Sequence, residues 1–215
     1  MKKLIEFLTK HDYTNIVIID NHSTFPPLLN YFNEIEKNVT IHKLDKNFGH
    51  LVFWKQRELF DKYSKGYHVV TDPDINPIEE CPGDFLKVFK KKLDQNYNFT
   101  KVGFSLKIDD IPETNINKFK IINWESKFYQ KKDKTNNFIA DIDTTFALYR
   151  PKYEYNNKSF YKAIRMRYPY TARHGGWYLD NNNLTKEQRF YFESCNDSSS
   201  WRINENGEII KKMYN

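Results

Sequence analysis

Two aspartates separated by a proline, Asp72-Pro73-Asp74, close the apolar run from Tyr67 to Thr71. Residues two apart on extended chain point to the same side, so both carboxylates face one place. Pro73 disfavours helix at Asp72 and keeps the segment extended. A pair of oxygen donors at the carboxyl end of a strand suits a hard divalent cation, which can in turn grip a diphosphate. Nucleotide-sugar transfer uses this chemistry. With 15 aspartates in 215 residues, chance supplies about one such pair. A second, Asp141-Ile142-Asp143, is present, so context has to discriminate between them.

The elements that must position these acids alternate along the first half of the chain. Leu4, Ile5 and Leu8 recur at helical spacing and predict an opening helix. Ile16 to Asp20 is an uninterrupted β-branched run, the pattern of a strand buried on both faces. Ser23 or Thr24 offers an N-cap and Pro26-Pro27 a first turn for a helix with Phe25, Leu28, Leu29, Phe32 and Ile35 on one face. A strand over Val39 to Lys43, a helix over Leu51 to Tyr63 and the strand ending at Asp72 follow. Pro82 and Asp84 open another helix, with Phe85, Leu86, Phe89 and Leu93 inward. Lys90, Lys91 and Lys92 lie near its end, where cations suit the helix dipole. Val102 to Leu106 is a further strand. This βαβαβ rhythm predicts an α/β fold with a mostly parallel twisted sheet and helices on both faces.

Beyond about residue 110 the alternation loosens. A helix is expected over Lys118 to Lys131, strands over Thr144 to Tyr149 and Ala163 to Arg167, and a last helix from Thr185 with Glu187 and Gln188 in its first turns. Lys131 to Asn137 reads as a surface loop. No repeat or linker divides the chain, so a single domain over 1–215 is expected.

Composition narrows the classes. Hydrophobic residues at 39% and aromatics at 17% indicate a globular chain with a substantial core. The net charge of +6 agrees with a polyanionic ligand such as a nucleotide diphosphate, and equally with a nucleic acid or no ligand at all. Cys81 and Cys195 match no metal or disulfide spacing and are compatible with a reducing compartment. The first ten residues lack the apolar core of a signal peptide, and no run reaches transmembrane length. A cytoplasmic protein without a membrane span is expected. None of the seven glycines forms a dinucleotide-binding or Walker-type loop. A diphosphate would therefore be held by metal and basic side chains.

Several segments together resemble a known family. They are Ile16 to Thr24, Asn47 to His50, Val69 to Asp74, Trp124 to Ser126, Asp141 to Pro151 and Ala172 to Tyr178. In order and spacing they look like GT-A-fold glycosyltransferases, in a small branch found in bacteria and large DNA viruses. The likeness runs over roughly residues 12 to 195. It implies a UDP- or GDP-sugar donor, manganese or magnesium, and transfer to a hydroxyl of a glycan or glycoprotein acceptor. Residues 1–110 would form the donor and metal half, and 111–215 the acceptor half. If bacterial, the compartment is the bacterial cytoplasm; if viral, the host's.

Carried over by motif, Asp20 accepts a hydrogen bond from base or ribose, with Asn21 beside it and Asn47 and His50 near the donor. Asp72 and Asp74 form the metal-binding acidic motif, Asp74 as the better direct ligand and Asp72 reaching metal, water or ribose. His174 is the third ligand, and its imidazole favours manganese. Arg173 neutralises phosphate charge as the leaving group departs. Asp143, with Asp141, is the first choice for assisting the acceptor hydroxyl, and Glu125 the second. Trp124 and Trp177 are candidates to stack on sugar rings. One departure stands out: such enzymes open with a strand before the first helix, whereas here the helix at Lys2 comes first.

Two other classes are set beside this one. A sugar-phosphate nucleotidyltransferase shares the alternating architecture but is expected to carry an early Gly-rich loop, which this sequence lacks. A basic, aromatic nucleic-acid module would interleave its rings with Lys or Arg on one sheet face. The rings here fall mostly at helix-face or buried-strand positions, so no nucleic-acid partner is expected.

Overall fold

Helix α1 (Lys2–Lys10) forms where Leu4, Ile5 and Leu8 share a face, and Leu4 is its buried residue. The computed structural model describes residues 1–195, 199, 202–204 and 207–210. Strand β1 (Val17–Asp20) pairs in parallel with β2 (Thr40–Lys43), and α2 (Pro26–Ile35) connects them. The prolines occupy the first turn of α2 as expected, but its N-cap is Phe25 and no side chain caps it. Asp20 takes the Ser23 N–H instead, at 3.0 Å. The first three residues of β1 are half-buried, short of the two-sided burial its β-branched run predicts.

The expected helix over 51–63 is two helices, α3 (Val52–Lys55) and α4 (Arg57–Tyr63), broken where Gln56 leaves helical geometry at ψ 85°. Strand β3 (His68–Val70) follows, then a strand that sequence reading did not anticipate, β4 (Ile75–Pro77). Helix α5 (Phe85–Asp94) buries Phe85, Phe89 and Leu93, with Lys91 and Lys92 in its last turn. Strand β5 (Lys101–Leu106) is buried along its whole length. Helix α6 (Lys118–Ser126) stops before Lys131 and passes into a 3-10 turn at 127–129. The short β6 (Phe138–Ile139), β7 (Ala147–Tyr149) and the long β8 (Ala163–His174) precede α7 (Lys186–Ser194). A reciprocal Thr185–Gln188 capping box starts α7. Among the described residues no helix is long and apolar enough to cross a membrane.

The fold is α/β, but the sheet is mixed rather than mostly parallel. Its path is β3-β7-β5-β8-β4, with β6 also on β8, and β1-β2 form a separate pair. Strand β7 runs antiparallel to both β3 and β5. Those two are therefore parallel to each other, and the chain passes from one to the other through β4 and α5. The departure comes from the loosely patterned second half of the chain. Its strand β7 slots between β3 and β5, and β8 adds a parallel ladder on β5 and an antiparallel one on β4. Register along β5 slips between Phe104 and Ser105, where residues 167–170 of β8 are left without partners.

Strands β3 and β4 lie at opposite margins of this path, yet only four residues separate them. Four strand spacings amount to about 19 Å. Five residue steps reach about 18 Å when fully extended, and sheet twist closes the remainder. Residues 71–74 cross the end of the sheet, at the carboxyl ends of β3, β5 and β8, with a turn at Pro73 and Asp74 leading into β4. Pro73 suits that strap, since it holds Asp72 extended.

The larger core gathers Leu4 of α1, Phe85, Phe89 and Leu93 of α5, Phe104 of β5 and Trp177. A smaller one joins Phe53, Trp54 and Phe60 to Tyr149 and Phe160. Most of the aromatic content serves these two cores.

Candidate active site

The strap carries the two acids to different anchors. The Asp72 N–H donates to the Thr144 carbonyl at 3.0 Å, and the Thr144 hydroxyl donates to Asp72 Oδ2 at 3.1 Å. Two residues on, the Asp74 carbonyl takes the Gly175 N–H at 2.8 Å and Asp74 Oδ2 takes the Gly176 N–H at 2.9 Å. Gly175 permits this approach, because a Cβ there would lie 3.0 Å from Asp74 Cβ and from its carbonyl oxygen. Asp72 is thus tied to the segment entering β7, and Asp74 to the end of β8. The outer ends of the carboxyl-terminal strand edges are where open α/β sheets bind ligands.

His174, the last residue of β8, brings Nδ1 to 3.3 Å from Asp74 Oδ2. Its ring stacks on Trp177, with centroids 5.1 Å apart and planes 15° apart. Trp177 is buried, so its face serves the histidine and the core, and a sugar does not reach it. Trp124 is half-buried, with the Lys127 ammonium 2.9 Å from its ring centroid.

Asp141 and Asp143 are exposed, with Ile142 fully buried between them. Alternation therefore turns both carboxylates to the cleft side, as extended chain requires. Glu125 is placed differently. It is 2% exposed and pairs with the buried Arg165 guanidinium. Burial pushes its carboxyl up to about 6, against the pull of Arg165.

On the far wall, Asp20 is buried and accepts the Ser23 N–H through Oδ1. Asn21 donates to Asn47 Oδ1 at 2.8 Å and to the Gly49 carbonyl at 3.2 Å, and accepts the Phe48 N–H at 2.7 Å. The loops after β1 and β2 are joined by this amide network. Gly49 sits there at φ 81°, a left-handed turn that favours glycine. His50 is exposed just beyond it. Arg173 is held by Asp110, at 2.9 Å from Nε and 2.6 Å from Nη2. Against partial desolvation, the Tyr178 hydroxyl and Arg173 keep the Asp110 carboxyl below its ordinary range.

One cleft of about 2790 Å³ is lined by all of these site residues, from Asp20 and Asn47 through Asp72 and Asp74 to Asp143, Arg173 and His174. That exceeds the roughly 300–1,000 Å³ of a single small-ligand pocket. Sequence reading assigned no role to Thr144, Gly176, Lys101, Arg165 or Asp110, the residues that hold the acids and Arg173, although Thr144 and Gly176 lie within the segments that carry the resemblance.

Among the described residues, no group of three or more His, Cys, Asp or Glu side chains is gathered as a metal cage. The donor chemistry nonetheless fits a divalent cation. Burial, then the charge of Asp74, drive the Asp72 carboxyl up to about 7; the Thr144 hydroxyl opposes the shift and Asp143 adds to it. The charges of Asp74 and Asp143 thus both act on Asp72 at the end of the sheet, with the His174 imidazole beside Asp74. A bound cation would relieve that repulsion. No protein-family model, curated protein or solved structure matches this chain.

Proposed function

We propose that this protein is a metal-dependent glycosyltransferase that moves a sugar from a UDP- or GDP-sugar to a hydroxyl of a glycan or glycoprotein. The observation that carries the reading is the strap. It delivers Asp72 and Asp74 to the carboxyl ends of β3 and β8, beside His174, in the cleft that Asp143 and the Asp20 loop also line.

Asp74 and Asp72 would hold a manganese or magnesium ion, with His174 as the nitrogen donor. Such an ion, when bound, supplies positive charge to diphosphate oxygens. The protein's own groups do the rest. Gly176 N–H fixes the rotamer of Asp74, and Thr144 fixes that of Asp72. The exposed Asp143 carboxylate accepts the proton of the attacking acceptor hydroxyl, with Asp141 two residues away on the same side. Arg173, oriented by Asp110, lines the donor end of the cleft and supports charge on the departing nucleotide. Glu125 serves this site from below, through Arg165.

The test is a manganese titration of the wild type and of Asp74→Ala, following donor binding and donor hydrolysis. The variant should lose the manganese-dependent signal. Unchanged manganese-dependent activity in it overturns the assignment. Release of nucleoside diphosphate is expected, and release of pyrophosphate would instead identify a nucleotidyltransferase.

A further inference from the structure

Two buried basic side chains lie under the acidic pair. Lys101, fully buried at the first position of β5, points its ammonium at the Asp143 carbonyl and the Tyr149 hydroxyl, both at 2.9 Å. Its third direction meets the face of Phe160, 3.5 Å from the ring centroid. Arg165, 5% exposed on β8, donates from Nε to the Asp141 carbonyl at 2.8 Å while Glu125 takes its Nη1. Two main-chain carbonyls, two residues apart, are thus gripped from the sheet side.

Gripping the backbone there dictates where the side chains go. With both carbonyls turned down and Ile142 packed over Gly103, the carboxylates of Asp141 and Asp143 face the cleft. Stability alone does not call for this arrangement. Removing charges from water is expensive, and apolar residues of similar volume are often as stable or more so. Stability therefore gives no reason for a lysine and an arginine in this floor, whereas precise aiming of the segment above does.

We propose that Lys101 and Arg165 are positioning residues, a pair of buried main-chain clamps that aim Asp141 and Asp143 at the acceptor hydroxyl. The aim at an acceptor rests on the glycosyl-transfer reading; the clamps themselves do not.

The experiment has two arms for that reason. The first is amide hydrogen exchange in wild type, Lys101→Met and Lys101→Arg. Two amides report on the segment: Ile142, whose N–H donates to the Tyr161 carbonyl, and Asp72, whose N–H donates to the Thr144 carbonyl. Local loosening should speed both by about tenfold or more in Lys101→Met while leaving the β5–β8 ladder unchanged. Lys101→Arg, which keeps a basic hydrogen-bond donor, should recover most of the protection. Arg165→Lys is the second variant should Lys101→Met not fold. It keeps a cation for Glu125 and removes the Nε donor, so Ile142 should again exchange faster.

The second arm is steady-state transfer. Lys101→Met should lower kcat about tenfold or more with donor KM unchanged, as expected when the reacting geometry rather than binding is lost. Unchanged exchange at Ile142 and Asp72 in a folded Lys101→Met overturns the clamp. Loosened exchange without any transfer activity in the wild type retains the clamp and removes the glycosyl-transfer reading.

Discussion

Asp72→Asn should make the metal-free protein more stable at pH 8 while abolishing its response to manganese. Asp72 has its carboxyl raised from 3.8 to about 7 by burial and by Asp74 and Asp143. The folded state thus holds a proton that the unfolded chain releases between pH 3.8 and about 7. Stability contributed by this group is present below the lower value and is lost as pH rises through that window. A shift of about three units corresponds to about 4 kcal/mol at 1.36 kcal/mol per unit. Because Asp72 is only half-buried, solvent screening brings this nearer to about 2–4 kcal/mol. Asparagine mimics the protonated acid and keeps an oxygen for the Thr144 hydroxyl. At pH 8 without metal, the melting temperature of Asp72→Asn should therefore exceed the wild type's by about 5–10 °C, and at pH 4 the two should coincide. Added manganese should raise the wild-type melting temperature at pH 8 and leave the variant's unchanged. The assay is thermal unfolding at pH 4, 6 and 8, with and without manganese. A variant less stable than wild type at pH 8, or a wild type whose stability does not fall between pH 4 and 8, refutes the electrostatic reasoning.

Asp143→Asn should lower kcat by about 10²–10⁴, the usual contribution of a general base, with donor affinity for the manganese form unchanged by calorimetry. A loss of donor affinity instead would place Asp143 on the donor side. Gly103→Ala puts a Cβ 2.2 Å from the Phe146 carbonyl oxygen and 2.9 Å from Ile142 Cδ1. With backbone on one side there is no easy relaxation, so urea unfolding should show a loss of about 3 kcal/mol or more. Asp143→Asn, a surface change by comparison, should leave that midpoint within about 0.5 kcal/mol.

Legibility in the sequence followed the local patterns. From α1 to β5, apart from β4 and the break at Gln56, the chain was readable because β-branched runs, proline-led helices and apolar faces speak for themselves within ten residues. The Thr185–Gln188 capping box announced α7 in the same way. The mixed sheet was not readable, because β7 is three residues long and its place between β3 and β5 is a long-range choice. Strand β4 escaped notice for a related reason: Ile75–Pro77 contains a proline and lies at a sheet margin, the kind of strand that pattern reading demotes. At the site, Asp72, Asp74 and His174 could be nominated from their chemistry. Lys101 could not. A lysine at the start of an apolar strand looks like a solvated end, and only the fold puts the Asp143 carbonyl over it.

The electrostatics of the cleft also constrain how a donor could enter. The chain carries a net charge of +6, yet at the sheet end the charges of Asp74 and Asp143 help to raise the Asp72 carboxyl. Arg173, the cation nearest in sequence to His174, is already matched by Asp110. A diphosphate approaching these carboxylates alone meets like charge in a partly desolvated site, where Coulomb terms exceed their bulk-water size. A divalent cation reverses the sign of that encounter. On the proposed glycosyl-transfer reading, the global positive charge does not substitute for metal at this position and donor affinity is expected to be metal-linked: the acids that would attract the cation are the same groups that would repel the donor in its absence.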